Sequence, residues 1–195
     1  MERNRIGLYF GTFNPIHIGH LAIANYLVEN SDLKEIWMVV TPHNPLKKKK
    51  TLLDDYQRLH MVHLATEDYQ KIKPSNIEFN LPQPNYTVNT LAHLKEKYPE
   101  NDFYLIIGED NLKSLPKWKN YEVLLEEYQI IVYPRISKGE IPESLIDHPS
   151  IIRIEAPIME ISSTMIRNGI AAGQDLRYFL HDKVNEYMDQ MGFYK

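Results

Sequence analysis

The chain has 195 residues, 43% of them hydrophobic and 25% charged, with no cysteine and a formal net charge of -4. At this size folding buries roughly 70% of the surface that the unfolded chain exposes, enough for one full core. Without cysteine there is no disulfide framework, thiolate metal site or cysteine nucleophile, and the mildly acidic balance argues against a general nucleic-acid binder. The start, Met1 to Ile6, lacks an apolar stretch of signal-peptide length, and no apolar run approaches a membrane span. A cytoplasmic protein without membrane or nucleic-acid partners is expected.

Apolar runs and helical patterns alternate along the chain. Ile6 to Phe10 reads as a buried strand, followed by a turn-rich loop and a helical pattern from Gly19 to Val28. Glu35 to Thr41 reads as a second strand, Asp55 to Ala65 as a helix, and Ile77 to Phe79 as a third strand. A helix over Val88 to Tyr98 precedes a fourth strand, Phe103 to Ile107. Tyr121 to Tyr128 is helical, Gln129 to Tyr133 and Ile151 to Ile154 are strands, and the tail from Ser162 holds two or three short helices. Strands apolar on both faces and separated by helices imply a parallel sheet covered on both sides. The expected fold is a doubly wound, Rossmann-like α/β sandwich: one domain over 1–195, with a core over 1–160 and a helical segment over 161–195.

The stretch Gly11-Thr-Phe-Asn-Pro-Ile-His-Ile-Gly-His20 leaves the first strand and opens a helix. In open α/β sheets ligands bind beyond the carboxyl ends of the strands, so this loop is the first candidate site. Gly11 permits close backbone approach and Pro15 stiffens the bend. His17 and His20, three apart at a helix start, share one face. Gly19 between them leaves room for a phosphate against the backbone, and the helix start adds free N–H donors and positive partial charge. A lone histidine is ordinarily a satisfied or exposed residue; two histidines, two glycines and a proline in one strand-to-helix loop form a polyphosphate site. Neither a dinucleotide GxGxxG nor a P-loop sequence occurs there.

Gly11 to His20 resembles the GTFDPxHxGH signature of the nucleotidyltransferase superfamily that carries [T/H]xGH, with Asn14 where Asp is commoner. That family transfers a nucleotide from ATP or CTP to a phosphate-bearing acceptor. Ile161-Ser-Ser-Thr-Met-Ile-Arg167 is similar to its ISST-x-[IV]-R motif, which closes over the triphosphate. By itself the segment is an ordinary helix start with Ser162, Ser163 and Thr164 as capping hydroxyls and Arg167 one turn in.

Two further segments resemble the nicotinate mononucleotide adenylyltransferase branch. Asn85-Tyr-Thr-Val-Asn-Thr90 is similar to its [S/P]YT-x-x-T segment, and Leu115-Pro-Lys-Trp118 to its LPxW. The resemblance implies that Tyr86 and Thr87 meet the pyridine substituent and that Trp118 stacks on the ring. A helix start favours a carboxylate, and an indole face suits a cationic pyridinium. Gly108-Glu-Asp110 matches the family's G-x-D turn, where Gly108 and Asp110 border the adenosine ribose. Pro45-Leu-Lys47 resembles a loop whose basic residue reaches the mononucleotide phosphate; Lys48 or Lys49 can substitute for Lys47. Arg135 is placed beside the adenine pocket, whereas His43 and Arg58 read as structural or loop residues.

The resemblance implies ATP as a substrate, joined to nicotinate mononucleotide to give nicotinate adenine dinucleotide and pyrophosphate. ATP would meet Gly11, Thr12, Phe13, His17, Gly19, His20, Gly108, Asp110, Ile161, Ser162, Ser163, Thr164 and Arg167. The mononucleotide would meet Thr12, Asn14, Lys47, Tyr86, Thr87 and Trp118. His17, His20 and Arg167 are the catalytic candidates, as donors to phosphate rather than as bases. Mg2+ would be held mainly by substrate phosphates, with no dedicated protein metal site. A homodimer is compatible with this reading. The competing readings are a phosphopantetheine adenylyltransferase-like enzyme, which usually shows Thr at the position of His17, and a non-catalytic nucleotide sensor. A relative of class I aminoacyl-tRNA synthetases shares His17-Ile-Gly-His20 but has a KMSKS sequence, which this chain lacks.

Overall fold

The computed structural model describes residues 3–42 and 52–195. Its strands are β1 (Asn4–Gly11), β2 (Glu35–Val40), β3 (Ile72–Ser75), β4 (Asn101–Gly108), β5 (Gln129–Tyr133) and β6 (Ile151–Arg153). All pair in parallel in the order β3-β2-β1-β4-β5-β6. The helices are α1 (Ile18–Glu29), α2 (Asp55–Thr66), α3 (Thr87–Lys97), α4 (Glu109–Ser114), α5 (Tyr121–Glu127), α6 (Glu143–Ile146), α7 (Ser163–Ala171) and α8 (Asp182–Met191). This is the doubly wound α/β fold expected from the alternation of strands and helices.

Each face of the sheet has its own core. On one, Ile23, Leu27, Met61, Val62, Ile166, Val184 and Met188 pack from α1, α2, α7 and α8. On the other, Ile6, Leu8, Leu105 and Ile130 from the strands meet Leu91, Leu94, Leu112 and Leu124 from α3, α4 and α5. Strand order reverses between β1 and β4, where the following connections leave to opposite faces and open a crevice.

One expected strand is displaced. Ile77 to Asn80 forms a 3-10 turn, and β3 lies just before it, over Ile72–Ser75. Pro74 hides this strand in the sequence, but β3 is the sheet edge and pairs only with β2, so the missing N–H is tolerated. In the 3-10 turn Ile77 and Phe79 pack onto opposite cores, leaving Glu78 buried between them. The Gly108-Glu-Asp110 turn is also more than a turn, because Glu109 starts α4. Among the described residues no helix is long and apolar enough to cross a membrane.

Candidate active site

An open cleft of about 650 Å³ lies over the carboxyl ends of β1 and β4. Ligand pockets usually fall between about 300 and 1,000 Å³. From the first loop it is lined by Gly11, Thr12, Phe13, Asn14, His17 and His20; from the second by Gly108 and Asp110. Ser162, Ser163, Thr164 and Arg167 line it at the start of α7, and Tyr86, Thr87 and Trp118 line the remaining wall. Gly19 and Ile161 border a smaller recess that adjoins it at His17 and His20. Lys47, with Lys48 and Lys49 and His43, lies outside the described residues.

His17 is the N-cap of α1 and His20 its third helical residue, and their rings stack at 3.7 Å between centroids. His17 N–H points to His20 Nδ1 at 3.3 Å. Phe13 and Tyr9 meet the His20 ring edge-on at 5.1 and 6.1 Å, so its orientation is set by aromatic packing. A Cβ on Gly19 would lie 3.1 Å from the His17 ring, and one on Gly11 would lie 2.8 Å from the Phe13 ring. Both glycines therefore make room for neighbouring rings of the same loop. Burial, with the nearby Arg135 cation, lowers the His17 pKa to about 4, so its imidazole is neutral at ordinary pH.

The start of α7 is tied directly to this loop. Ser163 Oγ donates to the Pro15 carbonyl at 2.9 Å, and Arg167 donates to the Asn14 carbonyl at 2.8 Å and to Thr164 Oγ1 at 3.2 Å. Ser162 Oγ caps the helix by accepting from Met165 N. Hydroxyls expected to face a ligand thus hold the loop and helix together, while Arg167 keeps further donors of its fork at the cleft wall.

Beneath the loop, Arg58 is fully buried and donates to the carbonyls of Thr12 (2.6 Å), Thr41 (3.0 Å) and Leu53 (3.0 Å) and to the Asp55 carboxylate. Its structural reading holds, and it fastens three chain segments. Asn14 is 3% exposed, with Oδ1 accepting from the Tyr194 hydroxyl at 2.6 Å and Leu53 N at 3.3 Å.

At the β4 side, a Cβ on Gly108 would lie 2.5 Å from Asp110 Oδ1 and 3.2 Å from the Tyr133 hydroxyl. Arg135 pairs with Asp110 at 3.5 Å and lines the cleft. Tyr9 and Tyr133 share a 3.0 Å hydrogen bond between them. Sequence reasoning missed this tyrosine pair, because each lies inside an apolar strand and reads as core.

On the opposite wall Tyr86 is the N-cap of α3 without a side-chain cap, which leaves first-turn N–H groups open. Lys119 sits 4.4 Å over the Tyr86 ring, and Lys117 and Lys119 flank Trp118. Thr90 donates to Glu78 at 2.7 Å and Asn85 Nδ2 donates to the Glu78 carbonyl at 3.1 Å. Burial raises the Glu78 pKa against the opposing pull of the Thr90 and Thr41 hydroxyls. In sequence Glu78 carries no signal of this role, because a glutamate between isoleucine and phenylalanine is compatible with the outward position of a strand. Among the described residues, His17 Nδ1, Asp110 Oδ1, Asn85 Oδ1 and Trp118 Nε1 are buried without hydrogen-bond partners, and all four residues line the cleft. Such atoms are costly unless a ligand or water satisfies them.

A parallel sheet with two helix starts, paired histidines and an arginine at its switch point defines a nucleotide-handling protein. The chain belongs to the cytidylyltransferase-like family, whose model matches residues 8–169. A Flavobacterium psychrophilum protein named probable nicotinate-nucleotide adenylyltransferase is 65% identical over 191 residues, 98% of this chain and 99% of that protein. One of the same name from Flavobacterium johnsoniae is 66% identical with the same coverage. The fold is shared with Plasmodium falciparum nicotinic acid mononucleotide adenylyltransferase complexed with NaAD, at a TM-score of 0.81 and 22% identity, covering 98% of this chain and 97% of that one.

Proposed function

We propose that this chain is an adenylyltransferase of NAD biosynthesis that joins nicotinate mononucleotide and ATP to give nicotinate adenine dinucleotide and pyrophosphate. The observation that carries this reading is the convergence of three helix starts on one cleft. Those of α1 and α7, locked together through Pro15 and Asn14, face it from the β1 side, and that of α3, with Trp118, faces it from the other. Two anion-binding helix ends beside one another suit a triphosphate; a third, next to an indole, suits an anionic aromatic nucleotide.

The acceptor phosphate attacks the α-phosphorus of ATP in line. An oxygen–phosphorus bond forms as the bond to the pyrophosphate oxygen breaks, and the electron pair leaves with pyrophosphate. A phosphate monoester is a competent nucleophile, so this chain supplies no covalent intermediate and no general base. Its task is to orient the two phosphates and to aim donors at the charge that builds on the phosphoryl oxygens and pyrophosphate. His17, His20, the first-turn N–H groups of α1 and α7, and Arg167 provide those donors. Gly108 and Asp110 flank the ribose of ATP, and Tyr86, Thr87 and Trp118 take the pyridine. Mg2+ would arrive on the triphosphate, held mainly by phosphate and water ligands.

The test is pyrophosphate release with ATP and magnesium, offering nicotinate mononucleotide, nicotinamide mononucleotide and phosphopantetheine in turn. A preference for nicotinate mononucleotide is expected. Activity with phosphopantetheine alone overturns the acceptor assignment, and silence with all three shifts the reading to a nucleotide sensor.

A further inference from the structure

The end of the sequence reaches back to the histidine loop. Helix α8 packs on α2 and ends in Gly192, whose left-handed backbone (φ 65°) lets Phe193 N return to the Met188 carbonyl at 3.0 Å. Phe193 is thereby 9% exposed, edge-on to Tyr187 at 5.6 Å. Tyr194, itself left-handed at φ 65°, then extends beneath the loop, and its hydroxyl donates to Asn14 Oδ1 at 2.6 Å. Asn14 is the residue whose carbonyl holds Arg167 and whose side chain also accepts from Leu53 N. It lies three positions before His17.

We propose that Tyr194 is a positioning residue for the reaction: through Asn14 its hydroxyl holds the histidine loop, the start of α7 and the chain at Leu53 in one arrangement. The inference rests on the adenylyltransferase reading for its kinetic consequence, though not for its geometry. Tyr194 does not line the cleft, so it acts only through Asn14. Its phenol stays protonated, because burial raises its pKa against the opposing Arg167 and Arg58 cations. A protonated hydroxyl can only donate to Asn14 Oδ1, an oxygen that also accepts from the Leu53 backbone N–H. Losing it removes one donor from that oxygen and loosens Asn14, whose side chain ties the loop to Leu53 and whose backbone carbonyl holds Arg167.

The variant that removes the hydroxyl and keeps the ring is Tyr194→Phe; Tyr178→Phe, at a residue 91% exposed, is the control. In Tyr194→Phe, kcat should fall about tenfold while KM for each substrate stays within about twofold and the thermal midpoint falls by only about 2–8 °C, leaving the protein folded under assay conditions. Imidazole 1H–15N resonances of His17 and His20 in the free protein should shift in Tyr194→Phe and not in Tyr178→Phe. In an Asn14→Ala background the same change should cost nothing further, since the interaction is already gone. Unchanged kcat and unchanged resonances overturn the inference, as does a loss that adds fully to that of Asn14→Ala. A loss that merely tracks a falling midpoint also overturns it, since that marks a role in stability alone. If the wild-type chain releases no pyrophosphate, the proposed function fails, and the imidazole resonances of the two variants still decide the role of Tyr194.

Discussion

Arg167 donates a 2.8 Å hydrogen bond to the backbone carbonyl of Asn14, 153 positions earlier in the chain. With Ser163 on the Pro15 carbonyl, it makes the start of α7 part of the same rigid body as the histidine loop. Neither end can shift without the other, so donors from two distant segments keep fixed spacing across the cleft. Arg167→Lys keeps the charge and loses the planar fork that spans Asn14, Thr164 and the cleft. We expect kcat to fall roughly 10- to 100-fold, a smaller loss than in Arg167→Ala, as steady-state kinetics would read. Equal activity in Lys and wild type would mean that charge alone suffices.

His20 packs against Phe13, Tyr9 and His17 and lines the cleft. Its replacement by Ala should lower kcat by roughly 100- to 1,000-fold with KM for nicotinate mononucleotide changed only a fewfold, because it acts on charge that develops in the transition state. Equal losses in turnover and acceptor binding would remove it from that role.

His17 provides a pH signature. Its folded pKa of about 4 lies below the ordinary 6.5 because burial disfavours the cation. Between those values the unfolded chain binds a proton here that the folded chain does not, so stability falls as pH drops through that window and levels off below it. The sum is on the order of 3 kcal/mol. Denaturant melts of wild type and His17→Gln from pH 7 to 4 should diverge in this direction. Triphosphate binding should reverse the bias and draw a proton onto the ring, detectable as a buffer-dependent calorimetric heat at pH 6.

Gly108→Ala would set a methyl 2.5 Å from Asp110 Oδ1 and 3.2 Å from the Tyr133 hydroxyl. The carboxylate must swing away, so KM for ATP should rise about tenfold or more while KM for the mononucleotide holds. A selective effect on the mononucleotide would move Asp110 to the other substrate.

Trp118 lines the cleft with its Nε1 buried and unpartnered. Trp118→Ala should raise KM for nicotinate mononucleotide by roughly 10- to 100-fold with little change for ATP. Quenching of tryptophan fluorescence by the mononucleotide should vanish with it, leaving only Trp37.

Alternating apolar strands and helices made the fold class readable from residue order, because a parallel sheet buried on both faces demands such runs. Gly11 to His20 was equally readable, since a strand, a loop and a helix start sit in one continuous stretch. The edge strand β3 was not, because its single pairing partner tolerates a proline that elsewhere excludes a strand. Nor were the roles of the glycines: Gly19 and Gly11 accommodate the rings of His17 and Phe13, which only the folded loop brings over them. Local order therefore determined which segments bring helix starts and their flanking residue types to the cleft. Tertiary structure decided which side chains are spent on holding those segments together: Ser163, Arg58 and Tyr194 bond backbone or side-chain atoms of the first loop from positions 46 to 180 residues away. Such bonds depend on how α2, α7 and α8 pack against the sheet, and no local spacing encodes that.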